Sequence, residues 1–361
     1  MWIKEAYATT PDTTFSLLSL FTGRYPSELI RDNRKPVTLS RAMYTVPEVL
    51  SRSRYNSIAF VSDAQLKPQY GLNQGFSRWD QLEPPKRRRR RRTEEGPLAE
   101  LITRSLQHIN EAPLGQSEFE LIWLHSDELL REIKPLDKTP ERLRERVIEE
   151  NKDRYRRALL RADAAIARLN EALASEPVAQ RNFTVVISGL HGYSLTGQRP
   201  STLNESWLKS TLMVRSSEIK PRVIDAPTSL LSLAPTLLDF AEIESFNAAR
   251  NLMRLEVQSI SEWALGGITA SPETAVVYAE HLNAKNGLVG RVRRQYQWKL
   301  YQELGGRNVV TRERLYDLKR FGEGRDRSEI EATRTQVMRS DLELFIERQL
   351  RSVSAFPKLG R

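Results

Sequence analysis

Short apolar runs typical of β-strands alternate along the chain with segments of helical periodicity. Strand-like runs cover Tyr55–Ser62 and Phe119–His125, and a third opens Phe183–Gly192. Segments with the three-and-four spacing of a helix separate them. This alternation predicts a parallel sheet covered by helices on both faces, and so a fold of the α/β class.

The clearest helical segment follows Thr139-Pro140, which reads as an N-cap residue and a proline at the first helical position. Its apolar positions step by three and four along one face, at Tyr155, Leu159, Ala162, Ile166, Leu169 and Leu173. We expect this stripe to lie on the chain's own sheet. The same spacing also fits a partner helix, and that alternative stays open.

The pattern changes near residue 251. Ala275–Ala279, Leu288–Val292 and Tyr296–Tyr301 read as short strands separated by Gly and Asn. We therefore divide the chain into an α/β core over residues 1–250, a small antiparallel subdomain over 251–325, and a helix and tail over 326–361. An arginine-rich loop over 84–96 interrupts the core.

Composition narrows the classes of protein to consider. The 361 residues are 39% hydrophobic, enough for a packed core, and the absence of Cys excludes disulfides and thiolate metal sites. No apolar run reaches the ~18 residues of a membrane span, and no secretory leader pattern opens the sequence. The cellular location is left unassigned.

The net charge of +10 comes mostly from one run, formed by Lys86, Arg87, Arg88, Arg89, Arg90, Arg91 and Arg92. Without these seven charges the balance is +3. Like charges repel, so the run predicts a solvated surface loop. A patch for polyanions or an anionic surface is the alternative. The run contains no aromatic residue to stack on bases, which counts against nucleic acid.

The most informative motif lies near the start. Thr13 stands nine residues before Thr22-Gly23-Arg24-Tyr25-Pro26. A hydroxyl at a helix N-terminus meets free backbone N–H groups and the positive end of the helix dipole, a setting that favours an alkoxide and an incoming sulfate or phosphate. The segment resembles the nucleophile segment of the sulfatases, in the alkaline-phosphatase superfamily, which place a Cys, Ser or Thr at this position.

Further matches follow in the order of the sulfatase family, from about residue 5 to about residue 325. They are Tyr55–Ser62, Gly75-Phe76, Phe119–His125, Phe183–Gly192, Asp225–Asp239, Val277–His281, Gln297–Leu300 and Leu315–Leu318. The resemblance implies a parallel-sheet α/β/α sandwich of the sulfatase type, with a small C-terminal antiparallel subdomain. It also implies metal-dependent hydrolysis of sulfate or phosphate esters.

Several site positions of that family carry other residues here. The family has a cationic or metal-binding side chain at four positions where this sequence has Leu17, Ser62, Ala64 and Leu190. The resemblance leaves Thr13 as the nucleophile position and His191 as a vestigial metal ligand. His125 and Asp127 are further candidates for the cleft. The family's opening strand, which lies in mid-sheet and carries metal-binding Asp residues, has no counterpart in the sequence.

We therefore expect a degenerate sulfatase homologue without metal-dependent activity. A binding or scaffold protein, and a truncated fragment of an active envelope enzyme, remain alternatives. We expect no cofactor, whereas active relatives hold a divalent metal (Ca, Mg, Mn or Zn). A second copy or a partner chain would fill the slot of the missing strand, and the Arg run would contact polyanions.

Overall fold

The computed structural model describes residues 1–29, 31–32, 38–82, 95–111, 119–136, 139–176, 178–196, 203–243, 251, 253, 255–267, 271–283 and 287–354. The run Lys86–Arg92 lies outside the described residues, so its form stays a prediction. The described helices include none that is both long and apolar enough to cross a membrane.

The strands are β1 (Trp2–Tyr7), β2 (Arg31–Asp32), β3 (Thr38–Leu39), β4 (Tyr55–Val61), β5 (Arg78–Gln81), β6 (Phe119–His125), β7 (Val185–Ser188), β8 (Lys209–Arg215), β9 (Val223–Ile224), β10 (Thr228–Ser229), β11 (Val276–Leu282), β12 (Leu288–Gln295), β13 (Trp298–Leu304) and β14 (Val310–Asp317). The helices are α1 (Thr13–Thr22), α2 (Val46–Arg52), α3 (Gly96–Glu111), α4 (Glu128–Arg131), α5 (Arg144–Leu173), α6 (Glu205–Leu208), α7 (Leu233–Phe240), α8 (Ser261–Ala264) and α9 (Ala332–Ser354).

The chain forms two compact units. Unit one contains residues 1–44, 184–194 and 198–361, and unit two contains residues 45–183 and 195–197. These units are defined by contacts in space, whereas the boundaries at residues 250 and 325 follow the sequence pattern. Those sequence boundaries therefore stay predictions.

Unit two contains the all-parallel sheet that the sequence predicts, in the strand order β5-β4-β6. The apolar side chains Ile58 and Phe60 of β4 pack against Leu101 of α3. Because β4 is the central strand, both of its edges are hydrogen-bonded. Among the described strands, β6 pairs only with β4.

Unit one contains a mixed sheet, because β8 runs antiparallel to both β1 and β7 while β9 and β10 run parallel to β1. It also contains the predicted antiparallel sheet, in the order β11-β12-β13-β14. One face of this second sheet packs on Tyr7 and Leu208, and Leu300 on the other face packs on Met338 of α9. The α/β class and the C-terminal antiparallel sheet are therefore confirmed.

The long helix of unit two differs from the sequence prediction at its start and along its buried face. A 3-10 turn over Glu141–Leu143 precedes α5, so Thr139-Pro140 does not cap the helix directly. The residues that the helix buries most are small or polar: Asn151, Ala158, Ala162 and Ala165. Leu159 is 49% exposed. Of the expected stripe, Ala162 is buried and Leu169 packs on the cluster that α5 forms with α3 and β6, so Leu159 is the position that was misplaced.

Candidate functional site

The first part of the site is the start of α1. Asp12 caps the helix: its Oδ1 accepts a hydrogen bond from the backbone N–H of Phe15 at 2.9 Å. Thr13 is consequently the first helical residue, and its side chain lies where the helix dipole is positive. The Pro11-Asp12 pair before an apolar helix is an N-cap signal, so the sequence carried the information for Asp12, which our sequence analysis missed.

The end of α1 is fixed by Gly23, the residue after the helix. Its φ of +66° is in the left-handed region, and a Cβ at this position would lie 2.1 Å from Cδ2 of Leu255. Glycine is therefore required both by conformation and by space. Arg24 follows it, buried and paired with Glu28 at 3.2 Å. The glycine and the arginine of the Thr-Gly-Arg-Tyr-Pro motif thus fix the C-terminal end of α1.

The loop after β7 brings His191 to the start of α1. The Oγ1 atom of Thr13 lies 3.0 Å from Nε2 of His191. The loop is held against α1 because Ser16 donates a hydrogen bond to the carbonyl of Leu190 at 2.5 Å. Gly192 allows α6 to approach this loop closely, since a Cβ at position 192 would lie 2.3 Å from the Ser206 carbonyl oxygen.

The hydrogen bonds of His191 determine its tautomer. Its Nδ1 lies 2.6 Å from the carbonyl oxygen of Gly192, and a carbonyl can only accept. Nδ1 therefore carries a proton, and in the neutral ring Nε2 has a free lone pair. Thr13 then donates its hydroxyl proton to Nε2, the arrangement in which an imidazole can act as a base toward a hydroxyl.

A second imidazole approaches the same helix end. His281 of β11 is half-buried, and burial lowers the pKa of its ring while the negative charge of Asp12 acts in the opposite direction. Within the described residues, its buried Nδ1 has no hydrogen-bond partner. The sequence analysis did not single out His281 as a site residue, because its nearness to Asp12 arises only from the fold.

Two of the predicted substitutions, Leu17 and Leu190, place apolar side chains near this site. Leu17 is fully buried in the core of unit one. Leu190 contributes its backbone carbonyl, not its side chain, to the contact with Ser16. The described residues contain no group of three or more His, Cys, Asp or Glu side chains that could hold a metal ion.

The remaining predicted residues lie in unit two, where β4 and β6 end. We call Ser62, Asp63, His125, Asp127 and Arg131 the strand-end cluster. Ser62 donates a hydrogen bond to Asp127 at 3.1 Å, and Arg131 binds both oxygens of Asp127, at 2.8 and 3.1 Å. Ala64 lies in an exposed turn just after the strand.

His125 and Asp63 form the other half of the strand-end cluster, with Nε2 and Oδ2 3.8 Å apart. Burial by itself would raise the pKa of Asp63. The hydrogen bonds from His125 and from the Gln65 backbone N–H outweigh it, with help from the charges of His125 and Arg131, so that the pKa is lowered. The cluster is therefore internally satisfied, with each carboxylate already held by cationic or N–H donors.

Next to the cluster, Glu128 is 2% exposed and accepts hydrogen bonds from Nε of Arg161 at 2.9 Å and from the Leu98 backbone N–H at 3.1 Å. Glu128 therefore ties the starts of α3 and α4 to α5. Sequence reasoning missed Arg131 and Arg161, since nothing in their local pattern separates them from the other arginines of these helices.

The chain resembles a known protein family and several solved structures. The sequence model of the sulfatase family matches residues 1–243. No curated protein matches the chain in sequence. Among the solved structures that share the fold, three are described here in turn. A Bacteroides fragilis protein assigned as a sulfatase has a TM-score of 0.76 and 15% identity, over 99% of this chain and 90% of that one.

The second structure is the phosphonate monoester hydrolase of Silicibacter pomeroyi, with a TM-score of 0.71 and 15% identity over 99% of this chain and 90% of the other. The third is BT4656, in complex with its substrate D-glucosamine-2-N,6-O-disulfate. Its TM-score is 0.69 at 14% identity, over 100% of this chain and 92% of that one. The match to the family over residues 1–243 shows that the chain belongs to the sulfatase family.

Proposed function

We propose that this chain is a sulfatase-family protein that binds sulfate or phosphate ester groups at the start of α1 and does not hydrolyse them by the family's metal-dependent route. The observation that carries the proposal is the contact of Thr13 with His191 at a helix N-terminus, together with the lack of a carboxylate cage among the described residues. Members of the family are generally metal-dependent, and hard cations need several oxygen ligands.

The charge at the start of α1 determines how strongly an ester group would bind. The helix dipole and the Thr13 hydroxyl favour an anion. Asp12 opposes it, because its carboxylate caps the same helix end. We therefore expect weak binding that becomes tighter when Asp12 is neutralised. Asp12→Asn suits this test, since Asn caps helices about as well as Asp does.

Binding is measured by calorimetry with 4-nitrophenyl sulfate and 4-nitrophenyl phosphate. The expected result is tighter binding in Asp12→Asn and loss of binding in Thr13→Val. Asp225→Asn is the matched control, because it removes one exposed carboxylate that pairs with Lys4, at 3.1 Å. Equal tightening in both Asn variants would assign the effect to overall charge, and the proposed site would be wrong.

The same preparation tests the loss of the metal-dependent route. We expect elemental analysis to find no stoichiometric Ca, Mg, Mn or Zn, and adding these ions to give no ester hydrolysis. About one tightly held metal per chain, together with hydrolysis that Thr13→Ala abolishes, would contradict the proposal and favour an active sulfatase. If the protein is instead a scaffold, neither hydrolysis nor ester binding should be observed.

A metal-independent reaction is the second candidate, favoured by the tautomer of His191. Oγ1 of Thr13 would attack the sulfur or phosphorus atom as its proton passes to Nε2 of His191. The alcohol would then leave with that proton, and water would cleave the resulting threonine ester. Slow hydrolysis that persists in EDTA and disappears in Thr13→Val would establish this route, whereas hydrolysis unchanged in Thr13→Val would exclude it.

A further inference from the structure

A cavity of unit two lies where the helices α3 and α5 both end. Its volume is about 460 Å³, within the range of about 300–1,000 Å³ that is usual for small-molecule sites. The two helices and the segment after α5 line it with Leu106, Asn110, Ala172, Ser175, Glu176 and Val178. None of these residues belongs to the Thr13–His191 pair or to the strand-end cluster.

The inner wall of the cavity is apolar and its rim is polar. Val178 is 6% exposed, and Leu106 packs on the apolar cluster that joins α3 to α5. Asn110, Ser175 and Glu176 are exposed. A ligand that fits therefore carries an apolar part at its inner end and a polar group at the rim.

The polar side chains of the rim are hydrogen-bond acceptors for such a ligand. The Ser175 hydroxyl donates its hydrogen to the carbonyl oxygen of Ala172 at 2.8 Å, so toward a ligand it can only accept. The Glu176 carboxylate accepts, and the Asn110 amide has an accepting oxygen. An ammonium group has three N–H donors and no acceptor. The three side chains of the rim match those three donors.

The ends of the two helices favour a positive charge in this cavity. The last carbonyl groups of a helix have no partner within it, and they give the C-terminus a partial negative charge that stabilises cations. Arg181 already donates to one of them, the carbonyl of Ile109 in the last turn of α3, at 3.0 Å. Among the described residues, the cavity lining includes Glu176 and no Lys, Arg or His. The cavity therefore selects a cation over an anion.

We infer that this cavity binds a primary alkylammonium group, with the charged nitrogen held by Asn110, Ser175 and Glu176 and the alkyl chain against Leu106 and Val178. Such an amine is protonated at neutral pH, since the equivalent lysine amine has a pKa of about 10.4. The site is independent of ester binding at Thr13, because the two sites share no residue and select opposite charges.

Ligand-observed NMR titration of the full chain tests the inference. Hexylamine is the probe and 1-hexanol is its neutral match, because the two differ mainly in the charged group. We expect saturable binding of hexylamine, about tenfold tighter than that of hexanol, since hydrogen bonds to charged groups are the stronger ones.

A third probe identifies the source of the alkylammonium group, which is either a free amine or a lysine side chain of another protein. Nα-acetyl-lysine methylamide represents the lysine side chain. Tighter binding of hexylamine would assign the cavity to free amines. Tighter binding of the lysine derivative would assign it to a protein partner.

Two substitutions test the rim and the interior separately. Glu176→Gln keeps the shape of the rim and removes its charge, so it should weaken hexylamine binding about tenfold and leave hexanol binding unchanged. Glu171→Gln is the matched control, because Glu171 is an exposed carboxylate in the last turn of α5 outside the lining. Ala172→Leu introduces another good helix former and fills the cavity, so it should weaken both ligands. Unchanged thermal unfolding would show that each variant is folded.

Four results would overturn the inference. The first is no saturable binding of either amine by the wild type. The second is hexanol binding as tightly as hexylamine, which would make the cavity a simple apolar groove. The third is an equal loss of affinity in Glu176→Gln and Glu171→Gln, which would indicate general attraction to negative charge. The fourth is unchanged binding in Ala172→Leu. Thr13→Val should retain amine binding, which keeps failure at one site distinct from failure at the other.

Discussion

The Thr13–His191 pair of unit one and the strand-end cluster of unit two differ in the kind of interaction that holds them. Thr13 and His191 share a hydrogen bond at the end of α1 that Asp12 caps. In the strand-end cluster, an ion pair joins Arg131 to Asp127. Both regions stem from segments that resemble parts of a sulfatase site. The comparison shows that such segments can hold either a hydroxyl–imidazole pair or an ion-pair network.

Breaking the ion pair beside the strand-end cluster should have the largest effect. Arg161→Ala leaves the Glu128 carboxylate, 2% exposed, without its cationic partner. Removing one partner of a buried pair costs about 3–5 kcal/mol. The free energy of unfolding in urea measures the loss. Arg168→Ala is the control, since Arg168 and Glu95 are 43% and 64% exposed and such pairs contribute about 0–1 kcal/mol. Equal losses of unfolding free energy in Arg161→Ala and Arg168→Ala would show that the buried Glu128 carboxylate does not require Arg161.

Glu280 of unit one sharpens the comparison, because it is a buried carboxylate held by neutral donors. Burial raises its pKa, and the hydrogen bonds from Ser27 and the charge of Arg291 only partly oppose this. A raised pKa in the folded state means that its contribution to stability is present below the ordinary value of 4.5 and is lost as pH rises.

Glu280→Gln should therefore become more stable relative to the wild type as pH increases from 4.5 through the raised pKa of Glu280. Urea unfolding at a series of pH values measures the difference. Glu303→Gln is the matched substitution, because it replaces an exposed carboxyl group of the same sheet by the same amide. A difference between Glu280→Gln and wild type that does not change with pH would refute the role of burial.

Removing one hydroxyl from each region should have similar, smaller effects on stability. Thr13→Val and Ser62→Ala each lose a side-chain hydrogen bond, which contributes about 0.5–1.5 kcal/mol. The two variants should differ in ligand binding: Thr13→Val loses ester binding and Ser62→Ala keeps it. Parallel loss of ester binding in both variants would show that the strand-end cluster also contributes to the site.

The smallest effect on stability is expected from the arginine run. Replacing Arg87–Arg92 with a Gly/Ser loop should leave the free energy of unfolding unchanged and reduce retention on heparin. Six phosphate contacts would give a log–log salt dependence of DNA binding with a slope of roughly −4 to −5. A loss of several kcal/mol would make the run structural. Unchanged retention would exclude polyanion binding, since the remaining charge of +3 is small.

The sequence by itself determined the α/β class, the family and the bounds of several elements. β6 occupies the predicted Phe119–His125, and Thr13 lies at the start of a helix as the sequence predicts. These features depend on local signals, chiefly apolar runs of the length and spacing of strands and helices. Such signals act over a few residues and are therefore visible in one sequence.

The tertiary structure decided how the polar residues meet. The family resemblance assigns Thr13 and His191 to one site, but the two are 178 positions apart, and their contact requires the β7 loop to reach α1. Packing on α3 also made Asn151, Ala158 and Ala165 the most buried residues of α5 together with Ala162, which the helical period alone did not single out. Long-range contacts carry no local periodicity, so only the folded chain reveals them.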